Sequence, residues 1–348
     1  MYTDRMRVLC VGGGSVGHLA PAVAVAKELL KKKETEIRFV CSDRSEEARY
    51  LGAEGFAFDA IPIPRRSLLL PLTLLRGYLR SNAVMKRWKP DVVFSKGGAV
   101  SVPACLAARR LGIPIVLHES DGVMGRANRL IARWARHVCL GLPMQTHVDR
   151  GVVTGNPVRP FVTKGERAEG LRITGLSGKR PIFLVMGGSQ GARAFNDVIK
   201  ELLPELLTFC DVIHLTGPGK SGAAARPGYW SEEFAQAELP HLYAVADAAL
   251  SRAGSGSIGE LAACAIPTIL VPLRGLAQDH QLKNARTVEQ NGGAIVLEQD
   301  ALRSRLVSVV RRFVEDKSFS SELSGKIAAI ARPDAARQIA SIIVGTLA

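Results

Sequence analysis

One motif occurs twice in this chain. The apolar run Val8-Leu-Cys-Val11 leads into Gly13-Gly-Ser-Val-Gly17 and a helical stretch, and Phe183-Leu-Val-Met186 leads into Gly187-Gly-Ser-Gln-Gly191, 174 residues after the first glycine loop, and another helical stretch. A buried parallel strand, a glycine turn that lets backbone approach a ligand, and a helix with free N–H groups at its start together open a Rossmann unit. Two such openings in 348 residues predict two domains rather than one.

The stretches after each opening agree. Leu19, Ala22, Val23, Ala26, Leu29 and Leu30 fall at helical spacing, and residues 36–41 read as the next strand. Further strands are expected at residues 91–95, 115–117 and 152–154, then at 212–215, 248–251, 268–271 and 294–297, with helices between most of them. Strands alternating with helices through both halves predict an α/β fold of two doubly wound, parallel-sheet domains, with ligands at the carboxyl ends of the strands and the active site between the domains. The boundary is expected after the Gly155-Asn-Pro-Val-Arg-Pro160 turn, giving domains 1–160 and 161–334 and a closing helix within 335–348.

Charge separates the halves. Residues 1–160 carry 25 Lys and Arg against 13 Asp and Glu, and the remainder 21 against 19, so nearly all of the net +14 lies in the first domain. Such a field attracts nucleic acid, anionic lipid headgroups or phosphorylated substrates. No nucleic-acid motif accompanies it, so nucleic acid is not expected as a partner. No stretch reaches the roughly 18 to 20 apolar residues of a spanning helix, and residues 1–7 do not head a long apolar signal region, so neither an integral membrane protein nor a visibly exported one is expected. The six cysteines form no CxxC pair and read as reduced, buried thiols.

The loops carry the chemistry. Gly12, Gly14 and Gly17 fit GxGxxG, which admits a dinucleotide site with Asp43 as a ribose ligand. The copies differ at one telling place: His18 in the first faces Ala192 in the second. A helix N-terminus favours the neutral imidazole, which suits a general base; capping or core packing is the plainer reading. In the second half, Arg252-Ala-Gly-Ser-Gly-Ser-Ile-Gly-Glu260 follows an expected strand. Its small residues expose N–H groups and hydroxyls at a helix start, and Arg252 adds charge, so a diphosphate fits there. Glu260, one turn in, is a ribose-hydroxyl acceptor or simply an acid near a helix start. His118-Glu119-Ser120-Asp121 places polar groups at a strand's carboxyl end, yet makes no metal site alone, and no DxD motif occurs; neither a metal nor another cofactor is expected.

Residues 65–89 mix aliphatic, aromatic and basic side chains: Arg65, Arg66, a leucine-rich run, Arg76, Tyr78, Arg80, then Lys86, Arg87, Trp88 and Lys89. This reads either as an interfacial surface for an anionic membrane or as a core helix with a solvated basic edge. Leu74, Leu75 and Tyr78 stand for its apolar side.

With these motifs in order, the chain resembles the MurG family of peptidoglycan glycosyltransferases over nearly its whole length. The likeness rests on the glycine loop with His18, Gly97-Gly98 with Ser101 and Pro103, His118-Glu119, Gly155 to Arg159, Gly187 to Arg193, Arg252 to Glu260, and Gln281 with Asn284. The resemblance implies a GT-B fold of two Rossmann-like domains facing an interdomain cleft. The first domain would bind acceptor and membrane, the second UDP-N-acetylglucosamine (UDP-GlcNAc), and the final helix would pack back on the first. It implies metal-independent, inverting transfer of N-acetylglucosamine to the C4 hydroxyl of undecaprenyl-linked lipid I at the cytoplasmic membrane face, with His18 as base. Carried over by position, the substrate-binding residues are Ser15, Val16, Gly17, His118, Glu119, Asp121, Asn128, Arg159, Ser189, Gln190, Arg252, Ser255, Gly256, Ser257, Ile258, Gly259, Glu260 and Gln281.

Three positions depart from the family pattern. Val16 replaces a usual glycine, Asp121 a usual asparagine, and Ala99 often an aromatic residue. Asp121 loses two amide donors and adds a charge. These departures keep open a related transferase with another lipid-linked acceptor; a third reading, from another class, is a non-catalytic subunit that binds nucleotide sugar at the membrane. A nicotinamide oxidoreductase gives the Arg252 to Glu260 motif no role.

Overall fold

The computed structural model describes residues 5–14, 16–32, 34–62, 70–144, 147–159, 161–188, 191–275 and 279–347, with the side chains of Val16, His18 and Leu70 outside the description. Two compact units emerge: residues 1–158 together with 333–348, and residues 159–332.

The first unit is built on β1 (Met6–Val11), β2 (Thr35–Ser42), β3 (Ala57–Ile61), β4 (Val92–Ser95), β5 (Ile115–Glu119), β6 (His137–Leu140) and β7 (Gly151–Val153). They form one sheet in the order β3-β2-β1-β4-β5-β6-β7, every neighbouring pair parallel. Five helices connect them: α1 (Val16–Leu30), α2 (Ser45–Ala53), α3 (Leu70–Trp88), α4 (Ser101–Arg110) and α5 (Arg126–Ala132). The central strands are apolar on both faces because both are covered. Leu9 and Val11 pack into one core with Val93, Ala104, Cys105 and Leu117, while Val8 and Cys10 pack into the other with Leu19, Val23, Ala26 and Phe39. The last helix of the chain, α13 (Ala335–Gly345), packs on α1 and puts Ile339, Ala340 and Ile343 into that second core.

The second unit repeats the plan. Its sheet is β8 (Ile182–Met186), β9 (Asp211–Leu215), β10 (Tyr229–Glu232), β11 (Ala248–Ser251), β12 (Thr268–Leu270) and β13 (Ala294–Val296), ordered β10-β9-β8-β11-β12-β13 and parallel throughout. Around it lie α6 (Arg167–Thr174), α7 (Arg193–Leu206), α8 (Leu239–Val245), α9 (Ser255–Ala263), α10 (His280–Gln290), α11 (Leu302–Glu315) and α12 (Lys317–Ala328). The repeat in sequence is thus a repeat in topology: β1 and β8 both sit where the strand order reverses, which is where such sheets bind ligands.

Every strand expected from the sequence forms, within a residue or two of its expected ends. Three were not anticipated. β3 and β10 are edge strands whose mixed residues, Ala-Phe-Asp-Ala-Ile and Tyr-Trp-Ser-Glu, show no apolar run. β6 has four residues and opens on a histidine. All six cysteines are free thiols, five of them buried.

Candidate active site

In the first unit, the loops after β1, β4 and β5 meet at the carboxyl edge of the sheet. A buried carboxylate shapes the first of them: Glu47 accepts from Gly14 N at 2.6 Å and from Ser42 N at 3.0 Å. Gly13 leaves room for it, since a Cβ there would lie 2.6 Å from Glu47 Oε2. α1 then starts at Val16, with Gly17 exposed in its first turn. His18 is the helix's third residue, but its side chain and that of Val16, and the whole of Ser15, lie outside the described residues.

The other two loops are tied by a polar network. Asn128 accepts from Gly98 N at 2.9 Å and donates to Glu119 Oε2 at 2.7 Å. Glu119 also accepts from the backbone N–H of Asp121 and of Gly125. Gly97 and Gly98 each have φ +82°, and a Cβ on Gly97 would strike the Asn128 amide at 2.3 Å, so glycine is obligatory there. Burial, with the nearby Asp121, pushes the Glu119 pKa up. His118 is fully buried in β5 and contacts the Gly155 carbonyl through Nε2 at 3.1 Å, which fixes Nε2 as the donor. Among the described residues its Nδ1 has no partner, and burial, reinforced by Lys96, holds its pKa well below the usual range, so the ring is neutral. Asn156 donates to the Ser120 carbonyl at 2.9 Å. His118, Glu119 and Asn128 therefore build the loops from inside, while Asp121 is half-buried beside them.

In the second unit, the loop after β8 uses its glycines for close approach. A Cβ on Gly187 would meet Ala192 N at 2.2 Å, and one on Gly191, at φ +65°, would meet Thr216 O at 2.2 Å. Ser189 and Gln190 lie outside the described residues.

The loop after β11 leads into α9. Its N-cap, Gly254, offers no side-chain bond to the first N–H groups, at Ser255, Gly256 and Ser257. A Cβ at Gly254 or Gly256 would meet nothing within 4 Å, and neither has a positive φ. The protein itself does not require glycine at these two positions; the missing side chains leave open space over an anion-attracting helix end. Ile258, by contrast, faces inward into the core with Leu270, Ala285 and Val288, and Gly259 follows it.

One turn further, Glu260 joins two residues. Its Oε1 accepts from Arg159 Nε at 2.9 Å and Nη2 at 2.8 Å, and its Oε2 from the Tyr243 hydroxyl at 2.9 Å. Burial and the adjacent carboxylate hold the Tyr243 pKa well above its usual value, so it stays a donor. Arg252 is placed differently from Arg159. Its guanidinium is buried, donates to Val271 O and Gln299 Oε1, and stacks 4.3 Å over the Phe195 ring; burial lowers its pKa to about 10. These contacts tie the start of the loop to Val271, Gln299 and Phe195. Gln281 holds Leu273 N through its amide oxygen at 3.1 Å, which directs its NH₂ elsewhere, and Asn284 holds the Ala253 carbonyl.

Sequence reasoning missed Lys96, Glu47 and Tyr243. Lysine between a buried strand and Gly97-Gly98 was a readable signal; nothing local marks the other two. Among the described residues, no group of three or more His, Cys, Asp or Glu side chains is placed to hold a metal ion.

Residues 8–140 match the glycosyltransferase family 28 N-terminal domain and residues 182–339 the C-terminal domain of the same family. The UDP-N-acetylglucosamine–N-acetylmuramyl-(pentapeptide) pyrophosphoryl-undecaprenol N-acetylglucosamine transferase of Lachnoclostridium phytofermentans is 36% identical over 90% of this chain and 92% of its own. The protein of the same name from Clostridium botulinum is 33% identical over 86% and 88%. The crystal structure of Acinetobacter baumannii MurG superposes with a TM-score of 0.79 at 27% identity, covering 98% of this chain and 99% of that one. The chain belongs to glycosyltransferase family 28 and, within it, to the MurG transferases, and it is a glycosyltransferase of two Rossmann-like, parallel-sheet domains.

Proposed function

We propose that the chain transfers N-acetylglucosamine from UDP-GlcNAc to the C4 hydroxyl of the muramyl sugar in undecaprenyl-pyrophosphoryl-MurNAc-pentapeptide, lipid I, giving lipid II for peptidoglycan synthesis. The observation that carries the donor half is the start of α9, with no side-chain cap and open space at Gly254 and Gly256, one turn from the Arg159–Glu260–Tyr243 network. The helix end takes the donor diphosphate. A carboxylate has about four acceptor directions, and three on Glu260 are occupied, so one remains for a ribose hydroxyl. The names of the curated relatives support both substrates.

The reaction is a single displacement with inversion. The acceptor C4 oxygen bonds to the anomeric carbon as its proton passes to His18, and the bond from that carbon to the phosphate oxygen breaks, releasing UDP. A neutral imidazole in a helix's first turn is suited to accept that proton. The helix N-terminus and Arg159 stabilise the charge on departing UDP without a metal ion.

Membrane docking at the cytoplasmic face is assigned to α3. Leu72, Leu75 and Leu79 are 43, 52 and 54% exposed and recur on one helical stripe beside exposed Arg76 and Arg80. Leu74 and Tyr78 are partly buried, so the exposed stripe runs through Leu75 and not through them. Residues 65–69 of this basic apolar segment lie outside the described residues. No helix among the described residues is long and apolar enough to cross a membrane.

The test is UDP release from UDP-GlcNAc in EDTA, with and without a short-chain lipid I analogue, for wild type and His18→Ala. Acceptor-dependent release that resists EDTA and falls at least 100-fold in the variant is expected, within the range of general-base effects. Release that EDTA abolishes, or an undiminished variant, contradicts the mechanism.

A further inference from the structure

The glycine loop after β1 fits the dinucleotide pattern, and the proposed reaction gives that fit no use. In the Rossmann plan the loop's backbone N–H groups receive a diphosphate, and the carboxyl end of β2 contacts the ribose. Here a side chain of the protein itself joins the two places. Glu47, fully buried although it stands in the first turn of α2, accepts from Gly14 N through Oε1 at 2.6 Å. Its Oε2 accepts from the N–H of Ser42, the last residue of β2, at 3.0 Å. Glu46 beside it is exposed, and so is Asp43, the residue that the motif offers as a ribose ligand. The fit is close, since a Cβ on Gly13 would lie 2.6 Å from Glu47 Oε2 and 2.9 Å from Ser42 N.

The second copy of the motif has no such device. Gly188 stands where Gly14 does in the first, a Cβ on it would meet nothing within 4 Å, and among the described residues no side chain bonds its N–H. Both bonds to Glu47 are charge-assisted, so an entering phosphate must break them against the repulsion of a like charge. We propose that Glu47 is a specificity-determining residue, an internal anion that fills the phosphate position between the first glycine loop and β2 and so closes that crevice to nucleotides. Repelling a ligand from one of two similar sites sets specificity as firmly as attracting it to the other. That the nucleotide then goes to the second unit rests on the donor reading above; the filling of the first crevice does not.

The test compares wild type with Glu47→Ala, which removes a carboxymethyl group the size of acetate, and with Glu47→Gln, which keeps the bulk. Melting temperatures are measured in sodium acetate and, at equal ionic strength, in sodium chloride. An anion that binds only the folded chain raises its melting temperature. Acetate at about 100 mM should therefore raise that of Glu47→Ala by about 3 °C or more over chloride, and that of the other two proteins by less than about 1 °C. If Glu47→Ala does not fold in chloride, its refolding yield in acetate against chloride gives the same readout. A variant that acetate helps no more than chloride overturns the proposal.

Hydrogen exchange with and without UDP shows where the nucleotide goes. In wild type, UDP should slow exchange about 10-fold or more at the first amides of α9 and leave Gly14 and Ser42 within about twofold. In Glu47→Ala, UDP should slow exchange at Gly14 as well. Protection of Gly14 or Ser42 by UDP in wild type, or a Gly14 amide that UDP leaves unchanged in the variant, overturns the proposal. The two readings fail separately. Acetate rescue and Gly14 protection in the variant, without protection at α9 in wild type, would keep the filled crevice and remove the donor reading; protection at α9 without acetate rescue would do the reverse.

Discussion

Arg159 meets Glu260 end-on, with Nε and Nη2 both bonded to Oε1 at 2.9 and 2.8 Å, while Tyr243 occupies Oε2. The arginine follows the loop that leaves the first sheet, and the acid sits one turn into α9. Breaking this pair leaves a partly buried charge uncompensated. Hydrogen bonds to charged groups contribute roughly 1.5–3 kcal/mol, so Glu260→Gln should weaken UDP binding by about 10- to 100-fold, measured by titration calorimetry. Unchanged affinity would remove Glu260 from the nucleotide site.

Gly256→Ala separates folding from binding. The added Cβ meets no protein atom within 4 Å and the backbone there does not need glycine, so the variant should melt at or above the wild-type temperature, gaining up to about 1 kcal/mol. Its KM for UDP-GlcNAc should rise several-fold, because the methyl enters the space assigned to the donor. A stable variant with normal KM would show that the donor does not approach α9 there.

Glu47 has the opposite profile. Glu47→Ala strips the N–H groups of partly buried Gly14 and buried Ser42 of their acceptor, at about 1–3 kcal/mol each. Chemical denaturation should show the combined loss, about 2–6 kcal/mol, and hydrogen exchange at both amides should accelerate. Equal stability would mean that the loop holds its shape without the carboxylate.

His214 sets a pH dependence in the second unit. It is buried between Asn196 and Tyr229, and burial lowers its pKa to about 4. Its unfolded value is near 6.5, so below that pH the unfolded chain binds a proton the folded one refuses. Stability is therefore complete above pH 6.5 and falls as pH drops toward 4, by up to about 3 kcal/mol from this residue. The acid limb of the melting profile should flatten in His214→Gln; an unaltered limb would place its cause elsewhere.

Replacing Leu72, Leu75 and Leu79 together by Ser should lower co-sedimentation with anionic vesicles at least 10-fold. Circular dichroism should be unchanged, since these side chains are 43 to 54% exposed. Undiminished vesicle binding would take the membrane surface away from α3.

The parts legible in the sequence were those written locally. Both glycine loops, the central strands and the Ser255 to Glu260 helix start announce themselves by spacing and composition. β3 and β10 did not, because an edge strand needs only one partner and tolerates mixed residues. The roles of individual polar residues were harder to read, because burial and partners come from distant segments. Arg252 looks in sequence like a phosphate ligand, yet its partners Val271 and Gln299 lie 19 and 47 residues away. Lys96 owes its burial to Gly12 and to Ser120, on two other loops. The family resemblance implies Asn128 and Glu119 as substrate ligands, and the structure adds that they hold Gly98, Gly125 and each other.

The product itself reports the linkage and the stereochemistry of the transfer. Wild-type protein is incubated in EDTA with UDP-GlcNAc and a short-chain lipid I analogue, and the lipid fraction is analysed by mass spectrometry and NMR. One added N-acetylhexosamine, joined to the muramyl C4 oxygen with its anomeric configuration inverted relative to the donor, is predicted. A retained configuration, attachment elsewhere, or no lipid-linked disaccharide despite bound donor would contradict the account.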